Sequence, residues 1–390
     1  MRSFRGPGDP SFLCSEAFAV LQSCAINEAF LPNLKYFHLW ATGESIPFVP
    51  SFLSPTTTTI EIEFMDHADR PNAVFASMVT AIQTLCPNLQ KISLRSLPRD
   101  PKITVAVSEL VLTTNRGALR QLRVDSPLTE EAREVIYKLP DLCGLTVVVE
   151  GSTSLPTMVL PNLTEMDIEY NHTFDWLEGF RGATLGNLNS ITFRPKSESA
   201  QITDFLEAFE SVGLTTSTSL STFRFHTRRS WRPNYRPLVS FKQLTELEIG
   251  FSCEGGCSST INDDIITELA QAMPRLEALW LGGEPCGTPT GVTAKGLAAL
   301  ASHCPNLSHL RIHFRADSFN ALPAISGTPC VGTAVPQREC ALTDLDVGQI
   351  PIPEESTLMV AQTLVRIFPN ITRLDYPDDS EDWEKVFDAI

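Results

Sequence analysis

The residues best suited to chemistry gather around Arg224 and His226, with a basic aromatic run close behind: Arg228-Arg229-Ser230-Trp231-Arg232-Pro233-Asn234-Tyr235-Arg236. A guanidinium forks onto a carboxylate or phosphate, so this run predicts a grip on an acidic or phosphorylated segment. The plainer reading is a surface insertion, in which arginine stems cover an apolar rim. The run stands out because the chain carries 46 acidic against 30 basic residues, a formal charge of −16. That sign argues against a general nucleic-acid or anionic-membrane binder.

Other reactive residue types are scattered. His226, His309 and His313 fall beside apolar alternations and are expected at an open surface, more simply solvated than catalytic. Cys253 and Cys257, with Cys286 about one repeat later, could approach one another. Their spacing lacks the paired CxxC of a structural zinc site, so reduced thiols and no metal are expected. Asp263-Asp264 and Asp378-Asp379-Ser380-Glu381 read as helix N-terminal caps. There is no phosphate-cradling Gly loop, HExxH, GxSxG or EF-hand loop, and no nucleophile spaced to meet a base. The expectation is a noncatalytic chain that needs no cofactor.

What positions these residues is a repeat. An apolar residue, two variable ones, an apolar, a variable and an apolar residue recur twelve times, beginning with Leu34-Phe37-Leu39 and Leu89-Ile92-Leu94 and ending with Ile371-Leu374-Tyr376. A degenerate copy, Thr57-Ile60-Ile62, fills the first long gap. At this composition a triple is wholly apolar by chance only about one time in twelve. The last two apolar residues lie two apart, so in a strand they share a face, and polar neighbours such as Glu165, Asp167 and Glu169 point the other way. Many strands are preceded by a helix stop, as in Leu31-Pro32-Asn33, Cys86-Pro87-Asn88 and Cys304-Pro305-Asn306. Cys86 and Cys304, at those helix ends, are expected to be buried.

Helical spacing is predicted over 72–86, 129–139, 202–212, 263–273, 293–304, 356–368 and 381–390. Each unit is then a strand plus a helix that can bury its apolar face only against neighbours. Residues 230–240 and 321–340 read as loops inserted in the array. No apolar run reaches the roughly 18 residues of a membrane span, and Gly6-Pro7-Gly8-Asp9-Pro10 interrupts any signal-peptide core, so a cytoplasmic or nuclear chain is expected. Sequons at Asn162, Asn171, Asn306 and Asn370 would then stay unmodified.

The phrases LPNLKYFHL, CPNLQKISL, LPNLTEMDI, MPRLEALWL, CPNLSHLRI and FPNITRLDY resemble the leucine-rich repeats of F-box/LRR proteins, especially the divergent fungal ones, across 31–376. The resemblance implies an α/β leucine-rich repeat solenoid, a horseshoe with its parallel sheet on the concave face and helices on the convex face. It would comprise an N-terminal helical cap or flank (1–30), about 13 repeat units (31–376) and a C-terminal capping helix (377–390). It also implies the substrate-recognition part of an SCF-type ubiquitin ligase. The residues before Leu34 show no Leu-Pro-x-Glu start and no three-helix pattern, so a Skp-type adaptor is expected only if an F-box lies outside this chain. A regulator that binds a small GTPase or an enzyme directly is the alternative. The Asn or Cys that usually follows each repeat's strand is present only at Asn171; Thr42, Leu97, Ser252, Glu284 and Ile350 stand elsewhere.

The register also yields the outward-facing residues: Tyr36, His38 and Trp40; Glu61 and Glu63; Lys91, Arg95 and Arg123; Glu165, Asp167 and Glu169; Arg194, Arg224 and His226; Glu246 and Glu248; Trp280; His309, Arg311 and His313; Asp344, Asp346 and Asp375. Charge alternates in patches, which predicts a protein partner of matching pattern. Aromatic and arginine residues are the usual interface anchors. The predicted partner-binding set is therefore Trp40, Arg194, Arg224, His226, Trp280, His309, Arg311 and His313, with Arg228, Arg229, Trp231, Arg232 and Arg236 of the loop.

Overall fold

The computed structural model describes residues 3–5, 20, 30–42, 45–65, 72–97, 100–114, 117–150, 157–170, 175–196, 206, 219–227, 235–251, 261–282, 291–321, 340–348, 350, 352–376 and 380–390. They form two compact units, Met1–Leu188 and Asn189–Ile390. In the first unit the strands are β1 (Ser3–Arg5), β2 (Tyr36–Ala41), β3 (Thr59–Phe64), β4 (Lys91–Arg95), β5 (Gln121–Pro127), β6 (Gly144–Val149) and β7 (Glu165–Tyr170). Each pairs in parallel with the next in chain order. Between them run helices α1 (Asn72–Leu85), α2 (Pro101–Thr113) and α3 (Glu130–Ile136).

The second unit repeats the plan with β8 (Ser190–Pro195), β9 (Thr222–Thr227), β10 (Glu246–Phe251), β11 (Ala278–Leu281), β12 (His309–Ile312), β13 (Asp344–Asp346) and β14 (Arg373–Asp375). These too are parallel and in sequence order. Its helices are α4 (Asp263–Ala272), α5 (Ala294–His303), α6 (Thr357–Ile367) and α7 (Glu381–Asp388). Parallel neighbours require a crossover, and the intervening segment supplies it each time. Each unit is thus an open stretch of leucine-rich repeat solenoid.

The repeated apolar triples are the core. Leu34, Phe37 and Leu39 are buried, as are the equivalent residues of every later copy up to Ile371 and Leu374; only Tyr376 is part exposed. The degenerate copy forms β3, with Ile60 and Ile62 buried. Predicted helices appear where spacing placed them, apart from 202–212, of which only Leu206 lies among the described residues. Among the strands and α-helices, two were not foreseen. One is β1, within the 1–30 flank. The other is α2, whose PKITVAVSELVLT is rich in β-branched residues that favour strands. It folds as a helix because Pro101 occupies the first turn, Asp100 Oδ1 accepts from Lys102 N at 2.7 Å, and Ile103, Ala106, Val107, Leu110 and Val111 share one buried face.

Side chains at many strand entrances tie one repeat to the one before. The residue after the first leucine donates to the carbonyl of its equivalent one repeat earlier: Thr58 to Lys35, Thr164 to Cys143, Ser221 to Asn189, Thr245 to Ser221, Ser308 to Glu277, Thr343 to Ser308 and Thr372 to Thr343. One position before that leucine, Asn162, Asn187 and Asn370 donate to Pro140, Pro161 and Cys340 oxygens at 2.9, 2.8 and 2.9 Å. Cys86 and Cys304 are buried as expected, and Cys340, at the end of the stretch read as an inserted loop, is buried too; Cys304 and Cys340 each also donate weakly to carbonyls of the preceding repeat. Burial pushes the Cys304 thiol up to about 12 and Cys86 up to about 11, so both stay protonated and inert.

Helix α4 corrects the reading of Asp263-Asp264 as a cap pair. Asn262 caps α4, its Oδ1 accepting from Ile265 N at 3.0 Å. Asp263 reaches the next repeat, where Oδ1 accepts from Thr293 N (2.7 Å) and Gly296 N (3.0 Å) and Oδ2 from the Thr293 hydroxyl (2.6 Å). At the C-terminal end α7 is anchored by Trp383, fully buried, whose Nε1 donates to Ile350 O at 2.7 Å.

Candidate functional site

Strand alternation turns every second side chain away from the core, and parallel register aligns these side chains in rows across each sheet. In the first unit one row reads His38, Glu61, Ser93, Arg123, Thr146 and Asp167 from β2 to β7. In the second, a row reads Thr192, Arg224, Glu248, Trp280, Arg311, Asp346 and Asp375 from β8 to β14.

The charge patches seen in the sequence are largely neighbours in these rows, and they pair within the chain. In the first unit Lys91 Nζ lies 2.6 Å from Glu61, which also accepts from the Tyr36 hydroxyl at 2.9 Å, and Arg95 lies 3.0 Å from Glu63. Burial pushes the Glu61 carboxyl up, but the bonds from Lys91 and Tyr36 outweigh it and hold it below its ordinary value. Trp40, beside Glu63 in register, is part exposed and meets the His38 ring edge-on at 4.5 Å.

In the second unit Arg224 is held between two acids, 2.6 Å from Glu246 and 3.4 Å from Glu248, and His226 Nδ1 lies 3.7 Å from Glu248. Burial pushes the Glu248 carboxyl above its ordinary value, and the pull of Arg224 does not cancel it. Trp280 stands in register between Glu248 and Arg311. Arg311 Nε approaches Asp346 to 3.1 Å, but is covered and not aimed for a hydrogen bond. His309 lies 3.5 Å from Asp344, and Arg194 is exposed on β8.

Two predicted site residues sit elsewhere. His313 does not face the open surface; it is 6% exposed. The chain leaves β12 at Ile312, and the next position is Gly282 in the preceding repeat and Gly348 in the following one. The imidazole fills the room both glycines leave: a Cβ on Gly348 would stand 2.5 Å from His313 Nε2. Burial pushes its pKa down, and Arg311 adds to that. Glycine at the same place on both neighbours was a signal in the sequence. Arg236 opens the short turn Arg236–Ser240 and lines a cleft of about 290 Å³ with Asp264, Ile265 and Glu268 of α4, in the helix layer. Arg228, Arg229, Trp231 and Arg232 lie outside the described residues, as do Cys253, Cys257 and Cys286. Among the described residues no group of His, Cys, Asp or Glu is placed to hold a metal ion, and no helix is long and apolar enough to cross a membrane.

No protein-family model and no curated protein matches the chain. Among solved structures it is similar to a chain of the complex of Rad7 and Elc1 from yeast, at 15% identity and a TM-score of 0.47, covering 89% of this chain and 76% of that one.

Proposed function

We propose that the chain is a noncatalytic protein-interaction module whose sheet face holds a protein partner, with Trp40, Trp280, Arg224 and Arg311 among the contact residues. The observation that carries the reading is the row structure of that face. Charged side chains are already held by their neighbours in register, so a partner pays little side-chain entropy on binding, and aromatic residues stand among them as anchors. Such broad, patterned polar faces suit another protein's surface better than a small substrate, whose sites are concave and mostly apolar.

The specific form of the proposal is the substrate-recognition part of an SCF-type ubiquitin ligase, supported by the resemblance of the repeat phrases to those of F-box/LRR proteins. Purification of the natively expressed, tagged protein with mass spectrometry tests both levels. A Skp-type adaptor and a cullin alongside a third protein is the result that supports the ligase form, in which an F-box outside this chain holds the adaptor. One stoichiometric GTPase or enzyme without them would replace the ligase form by direct regulation, and no protein partner at all would defeat the module reading.

A further inference from the structure

Resting on the interaction reading above, we infer that Arg123 is the docking point for a carboxylate side chain of the protein partner, with the hydroxyls of Ser93 and Thr146 on either side. The three residues are register neighbours on β4, β5 and β6. Adjacent strands lie about 4.8 Å apart, so the three donors fall within about 10 Å. Lys91 and Arg95, on the same face, are each neutralised by a glutamate. Arg123 makes no ion pair or hydrogen bond among the described residues, and its Nε is covered without an acceptor. A covered donor left unmet is costly to the fold and calls for a reason. Ser93, 4% exposed, and Thr146 likewise make no side-chain hydrogen bond among the described residues.

Gly144, the first residue of β6, lies two residues before Thr146 on the same face, and the Gln121 side chain covers it, with Cγ 3.3 Å from where a Cβ would stand. Charge selects the ligand. The row continues to Glu61 beyond Ser93 and to Asp167 beyond Thr146, so one guanidinium sits between two acids. A single negative charge is matched by Arg123, whereas a phosphate dianion would exceed it and face Asp167 beyond Thr146.

The test uses fluorescein-labelled (Glu-Gly)4 and (phosphoserine-Gly)4 peptides against the full chain, by anisotropy at about 50 mM salt, where screening is weak. The expected result is binding of the glutamate peptide, weakened at least fivefold by Arg123→Gln with no change in melting temperature. Lys102→Gln, the same charge change on α2, should weaken it less than twofold. If Arg123→Gln proves less stable, Arg123→Lys keeps the charge but loses the fork, and should weaken binding at least twofold. No binding by the parent, parental affinity in the Arg123 variants, or tighter Arg123-dependent binding of the phosphopeptide would each overturn the assignment. A cellular partner retained in full by Arg123→Gln would sink Arg123 and leave the module reading standing; absence of any partner for the parent would sink the module reading itself.

Discussion

The sheet faces of the two units use the same alternation and reach different electrostatic ends. In the second, described arginines meet acids on adjoining strands, Arg224 with Glu246 and Glu248 and Arg311 with Asp346, the His309 ring lies beside Asp344, and Arg373 meets Asp375 on its own strand. In the first, Lys91 and Arg95 close their pairs and Arg123 does not. Pairing also shifts acids in opposite senses. Glu61, gripped by a lysine and a phenol, sits below its ordinary pKa; Glu248, whose burial Arg224 does not offset and which stands next to Glu246, sits above it. An ion pair in register therefore does not by itself stabilise a sheet face. The balance between covering the charge and meeting it decides.

The largest expected effect tests the shared premise that both faces rest on one register. Leu247→Asp would bury an unpaired charge at the centre of β10 and should cost more than about 4 kcal/mol, with hydrogen-exchange protection lost across β9 to β11. Retained protection there would mean that Leu247 does not point inward.

Next comes Gly348→Ala, which forces a side chain at φ +57° against the His313 ring and should cost about 2 kcal/mol or more. Gly186→Ala, with nothing within 4 Å and no positive φ, should stay within about 0.5 kcal/mol. Equal melting temperatures for the two would remove His313 from its seat.

The smallest effects bear directly on the two acids. Glu61 has a depressed pKa, so its contribution is present above the unfolded value and is lost as pH falls through the folded one. Glu61→Gln should destabilise at pH 7, by less than about 1 kcal/mol, and progressively less under acid. Glu248 has a raised pKa, so its favourable contribution lies at low pH and is lost as pH rises through the folded value. Glu248→Gln should be neutral or stabilising at pH 7. Denaturant titrations of both variants at pH 3 and pH 7 would break the contrast if their pH trends had the same sign.

Much of this architecture was legible because the apolar triples mark strand parity, and parity fixes both the core and the outward rows. Thr57-Ile60-Ile62 was readable even in degenerate form. The rest was lost where a tertiary neighbour decides. Helix α2 is spelled like a strand, and its proline, aspartate cap and 3.6-residue spacing outweigh its valines. His313 continues the outward parity of His309 and Arg311 by sequence, but the strand ends at Ile312 and glycines on both sides admit the ring. Asp263 looks like a local cap, and its acceptors' partners are 30 residues or more away. The banded charges were visible as residues, but that they answer one another follows only from register.

The side-chain ladder at the strand entrances has a consequence for how such a chain can grow. Each rung carries its own donor, and the acceptor is a main-chain oxygen of the repeat before it. A main-chain oxygen is supplied by any residue type. A repeat with such a donor, copied into the middle of the array, brings its own rung and offers the next one its hold, with no matching substitution in either neighbour. Duplication or loss of whole repeats thus needs one event rather than a coordinated pair, and the length of the face can change while its joints stay sound.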